Sequence, residues 1–272
     1  MGMVNIDSLD DPRLTVFRNL KDRELASDGG KFIAESEHVV RRLLASDFPV
    51  ESVLVARRRC EEFSTVVREN VPLLVVADEL VHRIVGFKFH SGVIACGRRK
   101  PALPLEGILP ATGRRATLVI CPDLISHENL GSMIRIASAF GVDEMILGPR
   151  CCDPFYRHCI RVSMGTIFSL PIVRSVDMLG DLRRLREAGF ELVATVLGEG
   201  AERLKGFSRG QRVGVVFGNE AQGIDEQTLG VCDRRVTIPM REGVDSLNVA
   251  VAAGIVLYWV CDGEDTPRRR GG

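Results

Sequence analysis

Three short stretches of the chain set polar side chains, with a glycine or proline, beside apolar runs, and together they can hold and act on a small molecule. The first is VGVVFGNEAQGI, where Val213, Val215, Val216 and Phe217 read as a buried strand that Gly218 ends. Lacking a side chain, Gly218 lets a ligand approach the backbone. Asn219, Glu220 and Gln222 then supply two amides and a carboxylate, and Gly223 closes a tight loop. The second is RVTIPM, a strand that stops at Ile238 and Pro239. The third is Ser246, Leu247 and Asn248, which lead into an apolar helix. Gly218, Ile238 and Leu247 are separated by 20 and then 9 residues, so three backbone segments can surround one ligand.

A further polar set, His127, Glu128 and Asn129, precedes the periodic apolar run Leu130, Met133, Ile134, Ala137 and Phe140. Asn129 stands where a helix cap belongs, and at about 100° per residue Arg135 falls opposite the apolar face. On these local grounds a plain cap and a solvated charge explain both residues as well as chemistry does. Gly198 and Gly200 end the strand FELVATVLGEG as Gly218 ends the next one, and glycines closing adjacent parallel strands are expected where α/β sheets bind ligands. Neither G-x-G-x-x-G nor G-x-x-x-x-G-K-[ST] occurs, which argues against a dinucleotide-binding Rossmann domain and a P-loop nucleotidase.

The elements that must position these residues alternate strand and helix along the whole chain, which predicts an α/β protein. In residues 1–98, KFIAE, ESVLVA, PLLVVA and GVIACG read as strands. SEHVVRRLLAS, CEEFSTVVREN and ADELVHRIVG read as helices. Residues 99–115, with Pro101, Pro104 and Pro110 and few periodic apolar positions, read as a linker. A second domain is expected over 116–263, followed by a flexible basic tail over 264–272. It opens with TLVICPDL and continues through DEMILG, DPFYRHCIRVSMGTIFSLPIV and MLGDLRRLREAG.

With 272 residues, 45% of them hydrophobic, the chain can bury one large or two ordinary cores. Its eight cysteines are scattered through apolar runs without C-x-x-C pairs, which predicts reduced, mostly buried thiols. Cys151, Cys152, His158 and Cys159 match no standard zinc spacing, so no metal is expected. MGMVNIDSLDDPRL lacks the features of a signal or transit peptide, and the apolar run Val249 to Cys261 is too short to span a bilayer. A cytoplasmic protein with no membrane attachment is expected. Net charge is zero, yet Arg57 to Arg59, Arg98 to Lys100, Arg114 with Arg115, and Arg268 to Arg270 cluster in ways that suit tracking phosphate.

GNEAQGI, IPM and SLNVAVAAGI resemble the second and third motifs of the SpoU-type RNA ribose 2′-O-methyltransferases of the SPOUT superfamily, and NLGSMIRIASAFGVDEMILG resembles their first. The resemblance runs from Leu118 to Trp259. It implies a C-terminal α/β trefoil-knot domain with a parallel sheet, preceded by a small ribosomal-protein-like α/β substrate-binding domain, for which FIAESEHVVRRLL and FHSGVIACGRRK are the landmarks. S-adenosylmethionine would then be held by Gly218, Ile238 and Leu247, joined by Thr195, Leu197 and Gly198. Asn129, Arg135, Glu220, Ser246 and Asn248 would form the catalytic set. In that family the arginine is a proposed proton acceptor or activator, although stabilising an alkoxide or phosphate is easier for a guanidinium. Glu220 would orient Arg135 or Asn129, and Asn129, Ser246 and Asn248 would position the ribose.

The partner implied is structured RNA, with ribosomal RNA favoured over transfer RNA because a separate N-terminal domain precedes the catalytic one. A homodimer is expected too, because the helix after Leu247 is apolar around most of its circumference. Two alternatives stand beside this reading: a base methyltransferase, and a non-catalytic RNA-binding or assembly factor on the same fold.

Overall fold

Two sheets, each with its own core, organise the computed structural model, which describes residues 2–18, 30–85, 91–102, 104–107, 109, 113–198 and 200–261. Lys88, Phe89 and His90, part of the linker, Glu199 and the expected basic tail with Arg268 to Arg270 lie outside the described residues.

The first sheet has five strands: β1 (Met3–Ile6), β2 (Lys31–Glu35), β3 (Val50–Ala56), β4 (Leu73–Val76) and β5 (Val93–Arg98), in the order β1-β4-β3-β5-β2. β1, β4 and β3 run parallel, while β5 pairs antiparallel with both β3 and β2. Among the described residues of this region the helices are α1 (Thr15–Arg18), α2 (Glu37–Ala45), α3 (Cys60–Ser64) and α4 (Asp78–Val85). α2 forms where the periodicity predicts, burying Val39, Val40, Leu43 and Leu44. The segment CEEFSTVVREN is helical only over Cys60–Ser64. The N–H groups of Val66 and Val67 both bond back to Phe63 O, so the chain turns there instead of extending a helix rich in β-branched residues. Ile6, Leu14, Phe17, Ile33, Leu54 and Leu74 form the core beneath the sheet.

The second sheet has seven strands: β6 (Ala116–Cys121), β7 (Glu144–Leu147), β8 (Ile172–Arg174), β9 (Glu191–Thr195), β10 (Glu202–Arg203), β11 (Arg212–Val216) and β12 (Arg234–Thr237). Their order is β10-β12-β9-β11-β6-β7-β8 and every ladder is parallel. Covered on both faces, β6, β7 and β11 are buried from end to end, as their continuous apolar runs require. The helices are α5 (His127–Ala139), α6 (Arg157–Val162), α7 (Met178–Glu187), α8 (Glu226–Val231) and α9 (Val249–Cys261). α5 and α9 pack against one another.

The compact units do not follow one boundary along the chain. Met1–Pro101 and Asp153–Phe168 cluster as one unit, and Ala102–Cys152 and Ser169–Gly272 as the other. The sequence pattern places 153–168, with α6, among the elements of the second domain. The physical reason for the difference is aromatic: Phe155 and Phe168 lie 5.2 and 5.5 Å from the Phe32 ring, and both also meet Phe48. Arg99 adds an ion pair to Asp153 at 2.6 Å, and Arg42 donates to Met164 O at 2.6 Å.

The basic clusters are largely engaged by carboxylates drawn from elsewhere in the chain. Arg58 pairs with Asp78, Arg98 with Glu51, Lys100 with Asp47, and Arg114 with Asp143. Arg59 meets both Glu37 and Glu62 at 2.7 Å, and together with Arg41 it holds the Glu37 carboxyl down to about 2. The expectation that these runs track phosphate is therefore narrowed, because each of these charges is already neutralised by a carboxylate of its own unit.

Candidate functional site

Parallel strands put the loops after β9, β11 and β12 at one edge of the second sheet, where α/β proteins bind ligands. These loops and the first turns of α9 enclose a cavity of about 740 Å³. Of the expected ligand-holding residues, Thr195, Leu197, Gly218, Ile238 and Leu247 line it; of the expected catalytic residues, Asn129, Glu220, Ser246 and Asn248 do. Gly198 is not among the lining residues, although it follows Leu197 directly and has φ +107°, a backbone that favours glycine. Arg135 does not line the cavity either. It is exposed on α5, opposite the buried Leu130, Met133, Ile134 and Ala137, and among the described residues it has no hydrogen-bond or ion-pair partner.

The loop after β11 has its shape for steric and polar reasons. A Cβ on Gly218 would lie 2.4 Å from the backbone carbon of Gly223, so no other residue allows the loop to fold back so closely. Asn219 and Gly223 exchange backbone hydrogen bonds at 2.8 and 3.0 Å. The Asn219 side chain accepts from the N–H groups of Ala221 and Gln222, fixing the tip. Thr195 Oγ1 donates to Val216 O at 2.9 Å and ties the end of β9 to β11.

This loop delivers Glu220 to α5. Glu220 Oε1 accepts from the Asn129 amide at 3.0 Å and from Ser126 N–H at 3.2 Å. Ser126, not Asn129, caps α5: its Oγ accepts from Asn129 N–H at 3.3 Å. That frees the Asn129 side chain for the cavity, and its Oδ1 accepts from Asn248 Nδ2 at 2.9 Å. Asn248 in turn caps α9. Behind the loop that precedes α5, Cys151 Sγ donates to Cys121 O and accepts from Leu124 N–H, and burial pushes the Cys121 thiol well up. Among the described residues no group of three His, Cys, Asp or Glu side chains is placed to hold a metal.

Several lining residues are not singled out by the sequence pattern: Val196, Val236, Met240, Ala252 and Val256. Ala252 and Val256 stand four and eight residues after Asn248, the spacing of one helix face, so periodicity continued from the polar motif points to them. Chemically, the arrangement joins an apolar pocket to a wall of oriented amides and one carboxylate. It can bind a ligand of mixed character and hold a hydroxyl by hydrogen bonds.

The family described as the SpoU rRNA Methylase family matches residues 116–258. A protein of Mycobacterium bovis named an uncharacterized tRNA/rRNA methyltransferase is 36% identical over 92% of this chain and 88% of its own length. The 23S rRNA (guanosine(2553)-2′-O)-methyltransferase of Bacillus subtilis is 26% identical over 94% of this chain and 98% of its own. Among solved structures, the AdoMet-bound rRNA methyltransferase from Sinorhizobium meliloti superposes with a TM-score of 0.81 at 26% identity, covering 94% of this chain and 97% of that one.

Proposed function

Because the chain belongs to the SpoU methylase family, we propose that it transfers a methyl group from S-adenosylmethionine to a ribose 2′-hydroxyl of structured RNA. The observation that carries this reading is the cavity in which Asn129, Glu220, Ser246 and Asn248 stand beside Gly218, Ile238 and Leu247.

The cavity suits the methyl donor in size and in character. Leu197, Ile238 and Leu247 offer apolar contact for an adenine, and the backbone beside Gly218 and the hydroxyl of Thr195 offer polar contact. Gly198 completes the turn that presents Leu197. S-adenosylmethionine supplies, when bound, a methyl group activated by its sulfonium centre. The chain's own residues must do the rest. Asn129 and Ser246 hold the ribose hydroxyl in line, and Glu220 fixes the Asn129 amide. Arg135 stands outside the cavity of its own chain, and we assign it to the cavity of a second copy. There its guanidinium stabilises negative charge growing on the ribose oxygen or on a neighbouring phosphate.

That assignment goes with a homodimer. Val251, Ile255, Tyr258 and Trp259 on α9 are 53%, 40%, 56% and 43% exposed, a contiguous apolar face beside α5. The trefoil threading of the family is part of the same reading. So is a ribosomal rather than transfer RNA target, which the separate N-terminal unit favours. No helix among the described residues is long and apolar enough to cross a membrane, and we place the protein in the cytoplasm.

The test is methylation of ribosomal and transfer RNA transcripts by the purified protein with labelled donor, followed by nuclease digestion and mass spectrometry. A ribose-methylated nucleotide from ribosomal RNA is the expected product. A methylated base would make it a base methyltransferase, and donor binding without transfer to any RNA would make it an assembly factor.

A further inference from the structure

The polar wall of the cavity is a chain of hydrogen bonds that runs in one direction only. Glu220 Oε1 accepts from Ser126 N–H and from Asn129 Nδ2; Asn129 Oδ1 accepts from Asn248 Nδ2. Asn248 Oδ1 accepts from the N–H groups of Ala250 at 2.9 Å and Val251 at 3.3 Å, the first turn of α9. Both ends fix the polarity. A carboxylate only accepts, and a helix N-terminus only donates. Each amide between them must therefore turn its nitrogen toward Glu220 and its oxygen toward α9.

We infer that Asn248 is a positioning residue rather than a ribose contact: it transmits the orientation of α9 to Asn129, and Asn129 alone of the two amides meets the substrate hydroxyl. The inference rests on the methyltransferase reading and refines it. Asn248 commits both lone pairs of its oxygen to α9 and one N–H to Asn129, so unlike Asn129 it keeps no acceptor for the proton of a substrate hydroxyl. Asn129, held from both sides, keeps one N–H and one lone pair for a ligand. Glu220 is likewise a positioning residue, an acceptor that sets the direction of the chain.

Reversing that direction is the test. Asn248→Asp keeps the α9 cap but points an acceptor at the Asn129 oxygen. Asn129 then cannot face two carboxylates without turning its oxygen to one of them. The turnover number should fall on the order of 10-fold or more, with the KM for RNA and the affinity for S-adenosylmethionine little changed. Glu220→Gln alone should lose less, since its amide oxygen still accepts. When Glu220→Gln and Asn248→Asp are combined, the introduced glutamine can donate to Asn129 Oδ1 and the Asn129 amide can donate to the introduced aspartate. Both side-chain bonds are then remade with opposite polarity. The pair should be more active than Asn248→Asp by itself, whereas independent effects would make it less active. A double variant no more active than Asn248→Asp alone overturns the inference.

Asn248→Ser guards against misfolding, because serine caps a helix but is too short to reach Asn129. It should melt like the unaltered protein yet share the loss in turnover; full turnover in that variant would also overturn the inference. Melting temperatures of the four proteins in the cycle read the same coupling without catalysis. If the unaltered protein methylates no RNA, the functional reading fails. The inference is then decided by whether Glu220→Gln recovers the melting temperature that Asn248→Asp loses.

Discussion

Replacing Arg135 by alanine removes a guanidinium that touches neither the core nor, within its own chain, the cavity. If Arg135 serves the cavity of a second copy as proposed, methyl transfer should fall on the order of 100-fold, as for loss of a group that stabilises transition-state charge. Calorimetry should show S-adenosylmethionine affinity changed by less than about 3-fold, or about 0.6 kcal/mol. Equal losses in both would move Arg135 out of the proposed role. Glu144 poses a different question, because it is only 3% exposed and its Oε2 has no hydrogen-bond partner among the described residues. Burial, reinforced by Asp143 and opposed by Arg212, raises its carboxyl from 4.5 to about 8. The folded protein thus holds this proton more tightly than the unfolded chain. Its contribution to stability is complete below about 4.5, declines as pH rises toward 8 and then levels off, a few kcal/mol at about 1.4 kcal/mol per pH unit. Glu144→Gln should flatten that decline in melting curves taken across the window; an unchanged slope would assign it to other groups.

Polar residues at the ends of apolar runs were readable without a structure, since glycine, asparagine and glutamate have few reasons to follow a buried strand. What the sequence could not separate was the cap from the chemistry. Asn129 looks like the start of α5, but Ser126 takes that role, and the direction of the Asn129 amide is set by residues 91 and 119 positions away.

Among the elements, those with a strong period appear where the pattern puts them: α2, α5, and strands β2 to β5. β1 carries no local signal, because its four residues acquire a partner only at β4, some seventy positions on. α2 also begins with strain. Ser36, its N-cap, sits at φ 87° and ψ 152°, a conformation normally reserved for glycine, and its side chain makes no capping bond. Ser36→Gly should relieve that strain and, after the greater flexibility of glycine in the unfolded chain is subtracted, stabilise by up to about 1 kcal/mol. A melting temperature raised by a few degrees is the expected result, and a lowered one would mean that the Ser36 side chain makes a stabilising contact. The partners of the basic clusters are illegible in the sequence for the same reason that β1 is. Glu37, Glu62 and Asp78, which neutralise Arg58 and Arg59, are close in space but up to some twenty positions away.

For the whole molecule, the α9 face decides whether one chain suffices. The Phe140 ring meets Tyr258 edge-on, and Trp259 Nε1 donates to Phe207 O, so the aromatic pair is pinned while much of it stays exposed. Light scattering at micromolar concentration should give the mass of two chains. Ile255→Asp with Tyr258→Asp should give one, with methyl transfer lost if Arg135 serves the partner's cavity. An unaltered protein that scatters as one chain would refute the dimer, and a monomeric, fully active double variant would refute the assignment of Arg135 to the partner's cavity.

The excursion of Asp153–Phe168 has a practical consequence. The backbone passes between the two units at three places, after Pro101, after Cys152 and after Phe168. A protease that nicks the proline-rich stretch would cut the chain into two fragments, and only the non-covalent packing of residues 153–168 against Phe32 and Phe48 would hold the first fragment. Transplanting the first unit from a relative would fail unless those sixteen residues travelled with it, since Phe32 and Phe48 would otherwise face a hole where Phe155 and Phe168 belong. Exchange of the first unit of this chain, by inheritance or by design, has to move a discontinuous piece, not a simple N-terminal block.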